Sequence, residues 1–226
     1  MSSAPALTID PVLEPRKLRI GLVWGLGLAD CAPTLEPSAS LAALLGEVAA
    51  AGEGFLAAER RASVRNMLRF GVYKPAGRSR PSSEYLFATA LTGSFPVVNG
   101  PVDSNNEVSL RWGYPCSIFD LGKTGVELQI SRGRTGERYT FNASGQEIDL
   151  EDLIVVRRRV NGAWEACGTP VKDSMETKVF QETRNVVGIV YAPITDPKAE
   201  LEACAARFAG ILREECGALE TGWLLT

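Results

Sequence analysis

The sequence predicts an α+β fold with a mixed β-sheet core and flanking helices, and three observations support this. Helical patterns of apolar residues lie towards both ends, short strand-like segments fill the middle from Phe95, and no internal repeat interrupts them. A hydrophobic fraction of 45% and a charged fraction of 23% in 226 residues are typical of one globular domain. We expect an irregular, proline-containing lead-in over residues 1–17 and a single domain over residues 18–226.

The first elements are a buried strand and a set of helices. Residues 18–28 form an apolar run that suits a buried strand. Three helices are predicted to follow: one capped by Ser38 or Ser40 and interrupted by Gly52, one stopped by Gly71, and one starting at Ser82. Residues 74–81 (KPAGRSRP) lie before the third helix and predict a rigid basic loop.

The remaining segments are mostly short and rich in β-branched and aromatic residues. They predict strands near residues 116–120, 126–132, 138–141, 154–159, 163–167 and 186–191. A short helix is expected over residues 106–112, and an amphipathic closing helix over residues 196–216. Within the fourth strand, Arg157 to Arg159 form either a solvated face or a contact with phosphate.

The composition excludes several kinds of chemistry. With no histidine, the chain cannot use Ser-His-Asp or Cys-His catalysis, histidine-bound zinc or a histidine base. The five cysteines include no C-x-x-C pair, so we expect reduced thiols, with Cys116 and Cys167 buried, and neither a metal nor a cofactor. A net charge of -3 excludes a broadly basic face but permits a local nucleic-acid contact. We see no signal peptide or membrane-spanning run, and we expect a cytoplasmic protein.

Two polar clusters are candidates for a binding site. The first covers residues 99–109 (NGPVDSNNEVS) and the second covers residues 172–177 (KDSMET). Turn and helix-cap chemistry is the alternative explanation, with Asp103, Asn105 or Asn106 as an N-cap and Ser174 or Thr177 closing a loop. If the clusters meet, their short polar side chains would line one ligand site. Arg78 and Arg80, in the basic loop, are candidates for phosphate contacts because a loop can approach a nucleic-acid backbone.

These clusters also carry a family resemblance. Residues 95–120 resemble a segment of the B3/B4 domain, the editing module in the beta subunit of phenylalanyl-tRNA synthetase. The matching positions are Val102, Asp103, Asn106, Gly113, Pro115, Phe119 and Asp120. Further segments resemble free-standing members of the family: Arg65-Asn66, residues 74–84, Lys172 to Thr177, and residues 182–186 (ETRNV). The similarity extends over residues 60–192 and implies a B3/B4-like fold.

The resemblance implies an amino acid or aminoacyl-adenosine site between the two polar segments. In the synthetase, this domain removes tyrosine wrongly attached to the phenylalanine tRNA. By the same alignment, the family's pocket threonine corresponds to Asn105, its pocket histidine to Ser117, its glycine loop to residues 170–174, and its tyrosine-reading glutamate to Ile189. An isoleucine cannot pair with a phenol, so we expect a substrate other than tyrosine, with a smaller or more polar side chain.

We therefore predict a trans-editing hydrolase that acts on the ester of a mischarged aminoacyl-tRNA, with the tRNA 3′-end and an amino acid as its ligands and no membrane partner. Asp173, Ser174 and Lys172 are the candidate catalytic residues. The candidate substrate-binding residues are Asn99, Asp103, Asn105, Asn106, Ser109, Ser117, Thr177 and Ile189. Backbone N–H groups around Asp173 and Ser174 are expected to stabilise the oxyanion, with the substrate itself helping to orient the water.

Two other classes of function stay open at this point. The chain could bind tRNA or an amino acid without chemistry. Alternatively, a repurposed B3/B4 fold could carry out acyl transfer or cyclisation of an amino-acid derivative, with Ser174 as nucleophile and Lys172 or Lys178 as base. The sequence does not specify an oligomeric state.

Overall fold

Two four-stranded β-sheets form the centre of the molecule, which a computed structural model describes over residues 4–13 and 18–226. The strands are β1 (Ala6–Ile9), β2 (Leu18–Leu26), β3 (Cys116–Asp120), β4 (Glu127–Arg132), β5 (Arg138–Thr140), β6 (Glu147–Asp149), β7 (Ile154–Val160), β8 (Ala163–Gly168), β9 (Asn185–Pro193) and β10 (Glu220–Leu225). The helices are α1 (Ala39–Ala51), α2 (Ala58–Leu68), α3 (Ser82–Leu91), α4 (Gly100–Trp112), α5 (Leu121–Thr124) and α6 (Lys198–Glu214). This arrangement confirms the predicted α+β class.

The two sheets have mixed and antiparallel order, respectively. One sheet has the order β1-β4-β7-β8, in which only the β1–β4 pair is parallel. The other is antiparallel with the order β10-β2-β9-β3. Their buried faces and the inner face of α6 share one hydrophobic core, while α1, α3 and α4 enclose a smaller one around Leu44, Phe87 and Leu110.

Several predicted boundaries are wrong for identifiable physical reasons. Residues 6–9 of the expected irregular lead-in form β1. The strand is stabilised by hydrogen bonds to β4, a distant segment whose pairing cannot be recognised from the local sequence. Residues 1–3 and 14–17 of that lead-in lie outside the described residues. Two further strands were not predicted, β6 and β10, and β10 follows the helix that we expected to close the chain.

Helix α4 begins at Gly100, six positions before the predicted start, so most of the first polar cluster is helical. Asn99 is its N-cap, accepting a hydrogen bond from the Val102 N–H at 3.1 Å, and Pro101 lies in the first turn. The helix ends at Gly113, which has a φ of 71°. The prediction that Asp103, Asn105 or Asn106 caps this helix is therefore wrong. The cap prediction for α1 is confirmed, with Ser38 in that position.

The arginine run in β7 is not a solvated face throughout. Arg157 is 2% exposed, and its guanidinium donates to both carboxylate oxygens of Glu137 at 2.5 and 2.8 Å and to the Ser131 hydroxyl at 2.6 Å. A register shift between Val156 and Arg157 accompanies this inward placement. Burial alone would raise the pKa of Glu137, but its bonds to Arg157 and to the Arg134 N–H outweigh burial and lower that pKa. Arg159, two residues further along the strand, is exposed.

No single helix among the described residues is long and apolar enough to cross a membrane. Residues Ala39–Gly54 and Ala58–Leu68 meet the length and composition criteria only as a pair, and the pair is bent by 92°.

Candidate functional site

A cavity of about 420 Å³ lies between α4 and the segment that follows β8. Its volume is within the range of small-molecule sites, roughly 300–1,000 Å³. The polar side chains in its lining include Asn99, Asn105, Asn106, Lys172, Asp173 and Lys178. The apolar side chains include Cys31, Val98, Val102, Cys116, Ile118 and Phe180. The two polar clusters that are distant in the sequence therefore face one space.

Helix α4 presents two amides to this cavity. Asn105 is 6% exposed, and its Nδ2 donates to the Oδ1 of Asn106 at 3.2 Å. The Oδ1 of Asn105 is buried and has no hydrogen-bond partner. Because an unpaired buried carbonyl is costly, this amide indicates a place where a polar ligand would add a stabilising bond.

A tight turn after β8 positions Asp173. The Thr169 hydroxyl accepts from the backbone N–H groups of Val171 and Lys172 and donates to the Lys172 carbonyl at 2.8 Å. The Tyr139 hydroxyl donates to the same carbonyl at 2.6 Å. The turn thus orients the Asp173 carboxylate towards the free edge of β3, where it accepts from the backbone N–H of Ile118 at 3.3 Å. A second N–H, from Thr169, lies at 3.4 Å.

Asp173 is the group in the cavity whose acidity is most suited to catalysis near neutral pH. Burial raises the pKa of its carboxyl to about 7, although the Ser117 hydroxyl, the two backbone N–H groups and the charge of Lys178 act in the opposite direction. A carboxylate with such a pKa is a stronger base than an ordinary aspartate and is still ionised in part at pH 7. The sequence singled out this residue, but its altered acidity depends on the surroundings that the fold provides.

Two lysines flank Asp173. The Nζ of Lys178 donates to the Phe141 carbonyl at 2.6 Å, and burial lowers its pKa although Asp173 opposes that change. The Nζ of Lys172 lies 3.8 Å from the centre of the Phe141 ring. Burial and the nearby charge of Arg78 lower the pKa of Lys172. Both lysines supply positive charge at the cavity wall, where developing negative charge on a ligand would be stabilised.

Three predicted site residues are structural, and none of them lines the cavity. Asp103 accepts from the Val98 N–H at 2.9 Å and from the Thr34 hydroxyl at 3.1 Å. Ser109 donates to the Tyr114 carbonyl at 2.7 Å, and Thr177 donates to the Cys167 carbonyl at 3.3 Å. Their polar groups are engaged within the protein, which corrects the expectation that they bind substrate.

Ser117, Ser174 and Ile189 also lie outside the cavity lining. Ser117 is fully buried; it donates to the Thr169 carbonyl at 3.3 Å and lies 3.1 Å from the Tyr191 hydroxyl. Ile189 is fully buried in β9. Ser174 caps a single 3₁₀ turn, Met175–Thr177, and lines a separate groove with Trp164. Its backbone N–H donates to the Cys167 carbonyl at 2.9 Å, so the predicted oxyanion donor is already engaged.

Sequence reasoning missed several residues of the site. Thr169, which organises the turn, lies two residues after the strand predicted over residues 163–167, and a polar residue near a strand end was a usable signal. Ser82 lines the cavity with a buried hydroxyl that lacks a hydrogen-bond partner, and its N–H donates to the Pro170 carbonyl at 2.9 Å. Cys31 and Phe180 come from segments with no distinguishing local pattern.

All five cysteines are free and buried, including Cys116 and Cys167, for which burial was predicted. Burial raises the pKa of each thiol. Those that line the cavity, Cys31 and Cys116, therefore act as apolar wall groups rather than as nucleophiles. Within residues 4–13 and 18–226, no group of three or more Cys, Asp or Glu side chains is arranged to hold a metal ion.

Gly168 packs closely against Phe119 and Asp173, so a larger residue there would disturb both side chains. A Cβ at this residue would lie 2.3 Å from Cζ of Phe119 and 2.8 Å from Oδ1 of Asp173. We expect Gly168→Ala to lower the free energy of unfolding by about 1–3 kcal/mol through overpacking and to displace the carboxylate. Chemical denaturation measures the first effect.

The matched control is Gly46→Ala in α1, where a Cβ meets nothing within 4 Å. That variant should be neutral or more stable, by up to about 1 kcal/mol. Equal stability of the two variants would contradict the prediction.

The fold and the cavity define the class of the protein: a mixed α+β domain with an amphipathic cavity between a capped helix and a loop at the sheet edge. A family model described as the B3/4 domain matches residues 71–197, and the chain belongs to this family. The resemblance expected from the sequence is thereby confirmed.

The relatives agree with this assignment. The chain is 27% identical over 77 residues to a phenylalanine–tRNA ligase beta subunit from Streptococcus pneumoniae. The aligned segment covers 33% of this chain and 10% of that protein. Its fold is similar to an N-terminal fragment of the phenylalanyl-tRNA synthetase beta subunit from Pyrococcus horikoshii, with 11% identity and a TM-score of 0.50. That match covers 100% of this chain and 56% of the fragment. The chain thus spans a tenth of the first protein and little more than half of the second.

Proposed function

We propose that this protein hydrolyses the ester of a mischarged aminoacyl-tRNA. The observation that carries the proposal is the position of Asp173. Its carboxyl group, which has a pKa of about 7, lines a cavity large enough for an amino acid. The amides of α4 line the same cavity. Membership of a family related to a tRNA ligase subunit supports an aminoacyl-tRNA as the substrate. The proposed place of action is the cytoplasm, where aminoacyl-tRNAs are made.

The proposed reaction uses groups that already line the cavity. Asp173 takes a proton from a water molecule as the water oxygen attacks the ester carbonyl carbon. The ammonium of Lys178 stabilises the resulting oxyanion, in place of the Ser174 N–H. The bond from the carbonyl carbon to the ribose oxygen then breaks, and that oxygen takes the proton from Asp173. The products are a free amino acid and deacylated tRNA.

The apolar wall favours a substrate with an apolar side chain. Val98, Val102, Ile118 and Phe180 line the cavity, and burial of an apolar side chain against them would stabilise the complex. This revises the expectation of a smaller or more polar amino acid. A tyrosine hydroxyl would need a dedicated partner, and the residue aligned with the family's glutamate, Ile189, lies in the core.

A panel of aminoacyl-tRNAs, each carrying one labelled amino acid, tests the proposal directly. We expect enzyme-dependent deacylation of at least one mischarged tRNA with an apolar amino acid and weaker activity on tyrosyl-tRNA. The release of labelled amino acid is measured against the enzyme-free rate. If no member of the panel is hydrolysed faster than in buffer, the hydrolase proposal is rejected.

A binding module is the second candidate, and one observation favours it. The predicted oxyanion donor, the Ser174 N–H, is occupied by the Cys167 carbonyl, so the site could hold a ligand without activating it. This candidate expects saturable binding without turnover, with Asp173→Ala changing only the affinity. Acyl transfer or cyclisation through Ser174 is not proposed, because that hydroxyl accepts from the Glu176 N–H at 3.3 Å and lines a different groove.

A further inference from the structure

A second groove, of about 560 Å³, adjoins the cavity. It is lined by Gly77, Arg78, Arg80, Tyr85, Val171 and Lys172. Val171 and Lys172 also line the cavity that contains Asp173, so the two spaces share one wall. A ligand that extended out of the cavity over this wall would enter the groove.

The groove concentrates positive charge without carboxylates to balance it. Among the described residues, Arg78, Arg80 and Lys172 take part in none of the ion pairs, whereas Arg60, Arg65 and Arg157 are each paired with a carboxylate. Arg78 is close enough to Lys172 to lower the pKa of that lysine, adding to the effect of burial. In a chain with a net charge of -3, three cations gathered in one place indicate a site for an anion.

The groove also offers an aromatic ring to a planar group. Tyr85, in the first turn of α3, is 47% exposed. The Arg80 guanidinium lies 5.4 Å from the centre of its ring, which helps to fix the orientation of the ring. Cations next to an exposed aromatic ring are the combination that proteins use for single-stranded nucleic acid, in which phosphates and bases alternate.

We infer that this groove binds the single-stranded 3′-end of an RNA, with one base stacked on Tyr85 and the adjoining phosphates held by Arg78 and Arg80. The inference rests on the proposed function for the identity of the RNA, a tRNA whose esterified terminal ribose reaches over Val171 and Lys172 into the cavity. It deepens that function by assigning Tyr85 and Lys172 to the recognition of the nucleotide rather than of the amino acid.

Binding of a labelled RNA hairpin with a single-stranded 3′-ACCA overhang tests the inference, with the same hairpin lacking the overhang as the reference. Fluorescence anisotropy measures Kd over a series of KCl concentrations. We expect the full-length protein to prefer the overhang. Tyr85→Ala should weaken binding by about ten-fold or more, while Tyr85→Phe should retain it because the ring is kept.

Arg78→Ala and Arg80→Ala should each lower the slope of log K against log salt by about 0.7, the value of one single-strand phosphate contact. The matched control is Arg69→Ala, which removes an exposed arginine directly after the end of α2 and should leave the slope unchanged. Thermal melting of each variant verifies that it is folded. The inference is overturned if Tyr85→Ala binds the overhang as tightly as the wild type, or if the loop variants keep the wild-type slope.

The same variants separate this inference from the proposed function. If the overhang is bound in the expected way but no aminoacyl-tRNA is hydrolysed, the nucleotide site stands and the hydrolase proposal falls. If deacylation is observed and Tyr85→Ala leaves both binding and rate unchanged, the hydrolase proposal stands and the nucleotide site falls.

Discussion

Asp173→Asn is expected to lower the rate of deacylation by about 10²–10⁴-fold, the usual contribution of a general base. The wild-type rate should rise with pH through about 7, because the carboxyl with that pKa acts as a base only when it is ionised. The asparagine variant should lack this rise. Single-turnover rates on a mischarged tRNA, corrected for the enzyme-free rate at each pH, measure both effects.

The matched control is Asp149→Asn, in the short strand β6, which removes an exposed carboxylate and should leave the rate and its pH profile unchanged. If Asp173→Asn retains the wild-type profile, another group supplies the base. If it alters only the affinity for the tRNA, the binding-module alternative is favoured.

The same substitution has a readout that requires no substrate. Because the pKa of Asp173 is higher in the folded chain than its ordinary value of 3.8, the folded state holds a proton that the unfolded state releases. The contribution of this carboxyl to the free energy of unfolding is fully present below pH 3.8. It declines as the pH rises towards 7 and is lost above that pH. Denaturation of the wild type and of Asp173→Asn across this range should differ by that decline. Parallel curves would show that the carboxyl has an ordinary acidity.

Arg157→Ala is expected to have the largest effect on stability, a loss of about 3–5 kcal/mol in the free energy of unfolding. The substitution removes a guanidinium that is 2% exposed and takes a donor from three groups: the Ser131 hydroxyl, the Arg132 carbonyl and the Glu137 carboxylate, which among the described residues keeps only its bond from the Arg134 N–H. The Ser131 hydroxyl is buried, so water cannot readily replace its lost bond, and the Glu137 carboxylate, which is 21% exposed, loses the cation that balances its charge. Urea denaturation measures the loss.

Arg159→Ala provides the comparison, since it removes the same side chain from the same strand at an exposed position. Arg159 is 47% exposed and lies 3.6 Å from Glu127, a surface ion pair of the kind that contributes about 0–1 kcal/mol. A loss at Arg157 no greater than the loss at Arg159 would show that the buried network does not stabilise the fold.

The chemistry of the site could be predicted only in part. Asn99, Asn105, Asn106, Lys172 and Asp173 were identified from the sequence, and the structure brings them around one cavity. The motif residues Asp120 and Thr183 are similarly distant in the chain, yet the Thr183 hydroxyl donates to Asp120 at 2.7 Å and gives them a structural role. Local patterns cannot distinguish a polar residue that lines a cavity from one that holds two segments together, because both favour short hydrogen-bonding side chains.

The sequence by itself determined the α+β class, most of the helices and strands, and the absence of histidine chemistry, because these follow from periodicity, capping residues and composition. The family was indicated separately, by the resemblance of several motif segments to the B3/B4 domain. Only the tertiary structure decided that Ser117, Ser174 and Ile189 lie outside the cavity, that Arg157 is buried, and that Asp173 has a pKa of about 7. The physical reason is that burial and pairing depend on residues far apart in the chain. The pKa of Asp173 reflects the packing of β3, β8 and the turn at Thr169 around one carboxyl group.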